Sequence, residues 1–109
     1  MSGPGVLHRL DGTTLTGIAE PAREDSNPPV QIMYPPLSRR LSEQGRAVIT
    51  YVVQTDGQVT DIKLAVSSGW ERLDKAATET VAAMHYVPAR MAGVPIAITK
   101  TKVVTYKLR

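Results

Sequence analysis

The stretch RAVITYVVQTDGQVTDIKLAVSS, residues 46–68, decides the fold of this chain. Its first half alternates between two sides, as expected of a β-strand with one buried face. One side carries only residues suited to a core, namely Ala47, Ile49, Tyr51 and Val53. Asp56-Gly57 follows, and both residue types accept the positive φ angles that tight hairpin turns require. The stretch therefore predicts two antiparallel strands joined by a short turn.

The second half of the stretch alternates as well, with Ile62, Leu64 and Val66 on one side. Val59 falls on the opposite parity and cannot join them without an extra residue. We therefore expect a β-bulge near Thr60-Asp61.

A short helix is predicted before the hairpin. In LSRRLSEQG, residues 37–45, Leu37 and Leu41 lie four residues apart on one helical face. The prolines Pro35 and Pro36 suit the first turn, and Gly45 is a typical C-terminal stop. The pattern predicts two to three helical turns.

A longer helix is predicted after the hairpin, within SSGWERLDKAATETVAAMHYVPA, residues 67–89. Apolar residues recur there at spacings of four, four and three, which defines one buried helical face. That face consists of Leu73, Ala77, Val81 and Met84. Ser68 and Glu71 fit a capping box at the start of the helix, and Pro88 ends it.

The C-terminal part predicts one more strand. MAGVP at 91–95 is typical of a turn, and IAITKTKVVTYKL at 96–108 is rich in β-branched residues. The order helix, strand, strand, helix, strand predicts an α+β fold, in which two helices cover one face of a three-stranded antiparallel sheet. We expect the other face to be partly solvated, as four polar residues indicate: Thr50, Lys63, Lys100 and Lys102.

Residues 1–30 differ from the rest of the chain. They are rich in Gly, Pro, Ser and Thr, and no sustained periodicity runs through them. This composition predicts a flexible linker or an expression remnant, followed by a folded domain over residues 31–109.

Composition excludes several kinds of site. The chain has no cysteine, so disulfides and thiolate metal sites are excluded. Its two histidines, His8 and His85, are far apart in sequence and lack carboxylates at metal-ligand spacing, so no metal or cofactor is expected. The net charge of +3 comes from scattered rather than clustered Lys and Arg, which argues against nucleic acid. No run reaches the ~18–20 apolar residues of a membrane helix, so any anchor is expected outside this chain.

The two serines Ser67 and Ser68 could have a catalytic role or could only form the start of a helix. Ser67 or Ser68 could act as a nucleophile with His85 as its base, which would make the chain a hydrolase. The sequence lacks G-x-S-x-G and any recognisable oxyanion-hole motif. We therefore expect these residues to form a helix start, and we expect no enzyme activity.

The final strand is long for a small domain, and its place in the chain order predicts an edge of the sheet. An edge strand exposes unpaired amides and carbonyls, which can receive an extended peptide as an added strand. The lysines of the TKTK run could instead only protect the edge from unwanted pairing. From the residues alone both alternatives stay open.

Several short motifs occur in a characteristic order: Tyr34-Pro35, Gly45, Asp56-Gly57, Ser67-Ser68-Gly69, Leu73-Asp74 with Ala76-Ala77, and Pro88. In this order and spacing, residues 31–108 resemble the C-terminal domain of TonB-type energy transducers. One departure is Met84-His85, where many members carry Trp-Arg.

The resemblance implies a periplasmic domain of an inner-membrane-anchored protein that works without a cofactor. Its partners would be outer-membrane TonB-dependent transporters for iron chelates, haem or vitamins. A transporter segment, the TonB box, would pair as a strand with the last strand of the domain. An ExbB/ExbD-type inner-membrane complex, contacted through regions absent from this chain, would supply proton-motive energy.

The resemblance also implies the binding residues. The receiving edge would comprise Thr99, Lys100, Thr101, Lys102, Val103, Val104, Thr105, Tyr106 and Lys107. An N-terminal flank would add Gln31, Tyr34 and Pro35. Two alternatives remain open: a TolA-like or other envelope-bridging domain, and a homodimer formed through the same edge strand.

Overall fold

The computed structural model describes residues 4–8 and 14–108, with side chains from residue 19 onward. Its elements in chain order are β1 (Pro4–His8), β2 (Thr14–Glu20), β3 (Arg23–Glu24), α1 (Pro36–Arg40), β4 (Gly45–Val53), β5 (Val59–Val66), α2 (Glu71–Ala82), β6 (Tyr86–Val87), β7 (Ala89–Met91), β8 (Val94–Ile96) and β9 (Ile98–Tyr106).

The centre of the fold is a three-stranded antiparallel sheet in the order β5-β4-β9. β4 pairs with β5 through the predicted hairpin, and it pairs with β9 in unbroken register from Gly45–Tyr106 to Val53–Ile98. The four β4 residues predicted to form a core are all buried: Ala47, Ile49, Tyr51 and Val53. The alternation in the sequence therefore identified the buried face of the middle strand.

The helix α2 forms the second layer over this sheet. Its predicted face is buried in full, at Leu73, Ala77, Val81 and Met84. Burial of one such leucine contributes about 1.5–3 kcal/mol, so this face is a main source of the stability of the layer. The predicted α+β class, with a three-stranded antiparallel sheet and two helices, is confirmed.

The pairing of β4 with β5 is irregular at two places. The register shifts between Thr50 and Val52, where β5 carries an extra residue, and Asp61 adopts a φ of 51° there. This confirms the bulge predicted near Thr60-Asp61. A second shift lies between Val48 and Ile49. The ladder between β5 and β4 is therefore interrupted twice, whereas the ladder between β9 and β4 is continuous.

The helix α1 is shorter than predicted. It ends at Arg40, because Ser42 turns the chain with a φ of 58° well before Gly45. The expected apolar face is also wrong, since Leu37 and Leu41 are 45% and 56% exposed while Ser38 is buried. One and a half turns are too few for an apolar spacing of four to define the packing face.

β9 is shorter than the predicted strand 96–108, and the turn predicted over 91–95 is confined to Ala92-Gly93, with Val94 and Pro95 in β8. β8 turns back on β7 through Ala92-Gly93, both at positive φ, and Ala97 separates it from β9. Lys107 and Leu108 lie beyond the end of β9. Composition missed the break at Ala97 because the residues on either side of it, Ile96 and Ile98, are both β-branched.

The segment predicted as a flexible linker, residues 1–30, carries strands in its described part, whereas residues 1–3 and 9–13 lie outside the described residues. β2 extends the β7–β8 hairpin into a sheet of order β1-β2-β7-β8, and β3 pairs with β6. Ala22 between them is only 4% exposed. The edges of β6 and β7 supply backbone partners that composition does not reveal.

Candidate functional site

The outer edge of β9 has no strand against it in the described part of the chain. β9 is the last strand of the sheet order, and its nine residues pair with β4 on the inner side. In an antiparallel edge strand, alternate residues direct both N–H and C=O away from the sheet. The edge therefore offers a regular row of donors and acceptors at the spacing of a β-strand.

The two faces of β9 differ in exposure. Four residues of the predicted receiving edge lie on the exposed face: Thr99, Thr101, Val103 and Thr105. Val104 and Tyr106, on the helix side, are 0% and 2% exposed. These two side chains anchor the strand in the core, so Val104 and Tyr106, as members of the predicted receiving edge, keep only their backbone for a contact there.

The lysines of β9 lie on the helix side, not on the solvated face predicted for them. Lys100 pairs with Tyr51 and Lys102 with Ile49, and both of these β4 residues point into the core. Thr50 and Lys63 do share the outer face as predicted, since they pair with each other. A lysine can occupy a core-side position at an edge because its long apolar stem reaches water.

Lys100 connects β9 to the N-terminal segment. Its Nζ donates to the carbonyl oxygen of Ala22 at 3.3 Å and lies 5.8 Å from the ring centroid of Tyr86. The Tyr86 hydroxyl in turn bonds the hydroxyl of Tyr51. Burial raises the pKa of Tyr51 and that of Tyr86 above the ordinary value of a tyrosine, so both hydroxyls stay neutral at physiological pH.

Of the three predicted flank residues, Tyr34 is the one that packs on β9. Its ring meets Tyr106 edge-on, with centroids 5.2 Å apart, and its hydroxyl donates to the carbonyl oxygen of Glu43. Pro35 stands before the first turn of α1, where its carbonyl oxygen accepts the Arg39 N–H. Gln31 is exposed and lines a cleft along α2.

An ion pair with a buried carboxylate links the turn after α1 to α2, and no sequence pattern predicted it. The Arg72 guanidinium donates to both carboxylate oxygens of Glu43, at 3.2 and 2.6 Å. The carboxylate side chain is 3% exposed, whereas Arg72 is 45% exposed. The hydrogen bonds from Arg72 hold the pKa of Glu43 below its ordinary value. The two residues are 29 positions apart in the chain, so neither the period of a helix nor that of a strand indicates that they are in contact.

The two serines are held by Asp74. Its carboxylate accepts from Ser67 Oγ and from both the N–H and Oγ of Ser68, the latter two at 2.7 Å. No side-chain cap from Ser68 closes the helix start, so the predicted capping box is replaced by this bond to Asp74. Burial would raise the pKa of Asp74, but the serine hydrogen bonds outweigh it and lower that pKa.

The hydrolase alternative fails on distance. Asp74 holds both serines at the start of α2, whereas His85 follows its end. A helix of 12 residues is about 18 Å long, so His85 cannot reach either hydroxyl as a base. His85 instead uses its backbone, whose N–H donates to Ser26 Oγ at 2.9 Å.

Comparison with known proteins identifies the family. A family model described as Gram-negative bacterial TonB protein C-terminal matches residues 30–108. This chain belongs to the TonB C-terminal domain family. The resemblance carried by the short motifs is thereby confirmed over nearly the same residues.

Curated TonB proteins agree with this assignment. Protein TonB of Haemophilus influenzae is 33% identical over 66 residues, which is 61% of this chain and 24% of that protein. Protein TonB of Neisseria meningitidis serogroup C is 40% identical over 53 residues, or 49% of this chain and 19% of that protein. The chain thus spans about a quarter or less of these relatives.

Solved TonB domains share the fold. The solution NMR structure of the Pseudomonas aeruginosa TonB C-terminal domain superposes with a TM-score of 0.62 at 19% identity, covering 80% of this chain and 86% of that one. The Helicobacter pylori TonB domain gives a TM-score of 0.56 at 23% identity, covering 72% and 70%.

Among the described residues of this TonB domain we looked for a membrane-spanning helix and for a metal site. Neither helix there is long and apolar enough to cross a membrane. Within the same residues, no three His, Cys, Asp or Glu side chains come together as a metal site.

Proposed function

We propose that this chain is the partner-binding domain of a TonB-type energy transducer and accepts the TonB box of an outer-membrane transporter on β9. The observation that carries the proposal is the open edge of β9, regular over nine residues and paired with β4 alone among the described strands. Membership of the TonB C-terminal family supports the same role.

The opposite edge of the sheet is less suited to strand addition. β5 contains two register irregularities, and Asp61 within it has a φ of 51°. Bulges twist an edge and interrupt its row of hydrogen-bonding groups, which is how many proteins block unwanted pairing. β9 has no such interruption in its pairing with β4. An added strand should therefore pair with β9 rather than with β5.

Binding of this kind depends mainly on the backbone. Each hydrogen bond of an added strand contributes about 0.5–1.5 kcal/mol net, and it is largely independent of the partner's side chains. One domain could therefore serve several transporters. No step of this role needs a catalytic residue or a cofactor.

The same geometry suits the transmission of force. Val104 and Tyr106 fix β9 in the core, and β4 holds it along its whole length. In the proposed role the domain works in the periplasm, and an ExbB/ExbD-type inner-membrane complex supplies energy through other parts of the protein. A pull along the strands then loads many hydrogen bonds together, and the transporter takes up iron chelates, haem or similar cargo.

The test is an NMR titration of the ¹⁵N-labelled domain with a TonB-box peptide. We expect the largest shift changes at the amides of β9, with β5 as the internal control. Peptides N-methylated at single positions supply the matched control, because strand addition tolerates methylation only at alternate residues. Uniform tolerance, or changes that centre on β5 or α2, would contradict the proposal and favour an envelope-bridging domain of another kind.

A further inference from the structure

Residues 19–26, the strap, run antiparallel to residues 85–91, which follow α2. Backbone pairs join the two segments at Ala19–Met91, Glu20–Arg90, Arg23–Val87 and Glu24–Tyr86. Asp25 continues the same register, since its N–H donates to the carbonyl oxygen of His85 at 2.7 Å. The strap therefore attaches the N-terminal side of the chain to β6 and β7.

Prolines interrupt this pairing in the middle. Continuing the register places Pro21 opposite Ala89 and Ala22 opposite Pro88. Neither proline has an N–H, so neither can donate a ladder hydrogen bond. The strap is thus attached by two ladders of two pairs each. β9, in contrast, pairs with β4 in unbroken register over nine residues.

The strap places little apolar surface in the core. Ala22 is its buried side chain and Ala19 is partly buried, whereas Glu20 and residues 23–25 are exposed. An alanine buries far less apolar area than the leucine and valine of α2. The strap is held mainly by hydrogen bonds close to solvent, and segments held in this way open at a lower free energy than the core.

A load applied on the N-terminal side of the chain reaches the domain through the strap. While the strap is docked, this load acts on β6 and β7. Residues 27–29 are exposed, and Val30 and Tyr34 are the next residues that pack on the core. Tyr34 contacts Tyr106 at the end of β9, with ring centroids 5.2 Å apart. After release of the strap, the same load would act on the central sheet.

We propose that the strap is released under mechanical load before the central sheet β5-β4-β9 opens, so that the load moves from β6 and β7 to Tyr34 and β9. The inference rests on the proposed function for the source of the load, since an energy transducer is pulled when it works. Two short ladders near solvent open before a continuous ladder that is packed against α2. The strap precedes residues 30–108, which match the family model, so family membership does not account for it.

The test is a single-molecule force experiment on the full chain. Azide-bearing residues replace Thr14, at the start of β2, and Lys107, beyond the end of β9, and serve as handles. As the load rises, the chain should extend in two steps. The first step, release of the strap, should be reversible and should occur at a clearly lower force than the rupture of the central sheet.

A disulfide between the strap and β7 shows whether the strap produces the first step. The chain has no cysteine, so Glu20→Cys with Arg90→Cys allows a single bridge. The two positions are direct partners in an antiparallel pair, where Cα atoms lie about 4.5–5.5 Å apart, within the range of a disulfide. The oxidised protein should lose the first step, and reduction of the same protein should restore it.

A substitution within the strap gives the opposite perturbation. Ala22→Asp buries a charge without a partner, so the strap should already be detached at zero load. This variant should lose the first step and keep the second at the force seen without the substitution, because the strap is released in both before the sheet ruptures. Glu20→Ala, at an exposed position of the same strap, should leave both steps unchanged.

The inference is overturned by a single rupture at every load, or by a first step that survives in the oxidised protein. A lower force for the second step in Ala22→Asp would also overturn it, by showing that the strap supports the central sheet during rupture. The experiment contains no transporter peptide, so these outcomes leave TonB-box binding untouched. If both steps occur as expected but a TonB-box peptide does not perturb β9, release of the strap stands and the proposed function fails.

Discussion

Tyr34 packs edge-on against Tyr106, with ring centroids 5.2 Å apart and planes inclined by 77°. The contact joins the segment before α1 to the end of β9. Since Tyr106 is buried and lies on the core side of β9, Tyr34 helps to fix the strand whose outer edge is open among the described strands.

Removal of the Tyr34 ring should loosen this end of the sheet. Tyr34→Ala is expected to lower the free energy of unfolding by about 2–4 kcal/mol, because the ring is only partly buried. Tyr34→Phe keeps the packing but loses the bond to Glu43, at a cost of about 0.5–1.5 kcal/mol. Urea unfolding of the three proteins measures both values. Equal losses in the two variants would contradict a packing role.

The Glu43–Arg72 pair should make stability depend on pH. Arg72 lowers the pKa of Glu43 in the folded state, so its contribution is fully present above the ordinary glutamate pKa and is lost as the pH falls through the lowered value. Arg72→Met should destabilise the domain at neutral pH, because Glu43 stays buried without its partner. Urea unfolding from pH 3 to 7 should show a shallower acid loss in Arg72→Met than in the wild type. Parallel curves would mean that the pair contributes nothing.

Gly57 should tolerate no side chain. A Cβ there would lie 2.0 Å from the Tyr86 carbonyl oxygen, and its φ is 87°. Gly93 has a similar φ of 81° but open space around it, which makes it a matched control. Gly93→Ala should cost about 1–2 kcal/mol from the backbone alone. In the same thermal unfolding measurement, Gly57→Ala should lower the free energy of unfolding by clearly more than Gly93→Ala does. Equal losses would show that the hairpin turn is not in close contact with β6.

The docking of residues 19–26 should depend on Ala22, which is 4% exposed. Ala22→Asp buries a charge without a partner, so this segment should detach while α2 stays folded. Hydrogen exchange is then expected to accelerate at β3 and β6, whose strands pair, with Glu20→Ala as the exposed control. Unchanged protection in Ala22→Asp would contradict the packing described for this segment.

The sequence predicted those elements that are defined by a pattern of residues close together in the chain. Alternation over residues 46–53 and the Asp56-Gly57 turn define the hairpin, and the spacing from Leu73 to Met84 defines α2. The N-terminal strands were missed because they pair with β6 and β7, strands of two and three residues that have no pattern of their own. The burial of Ala22 likewise depends on tertiary contacts.

For the candidate site, the position of β9 at the edge of the sheet was predicted, but the face on which each of its side chains lies was not. Chain order was enough to identify the last strand as an edge. The side on which its lysines lie was not predicted, because lysine usually marks a solvated face, and at an edge its stem can lie on the core side. Val104 was included in the predicted receiving edge through the resemblance, and its fully buried side chain leaves only its backbone for a contact there.

The most direct test of strand addition is residue-resolved hydrogen exchange on β9 with and without a TonB-box peptide. In the free domain, amides of β9 that point towards β4 should exchange slowly, while those at alternate positions should exchange fast. Saturation with the peptide should slow the fast set and leave β5 unchanged. If the outward amides of β9 keep their free rates while the peptide is bound, the partner does not bind as a strand on this edge.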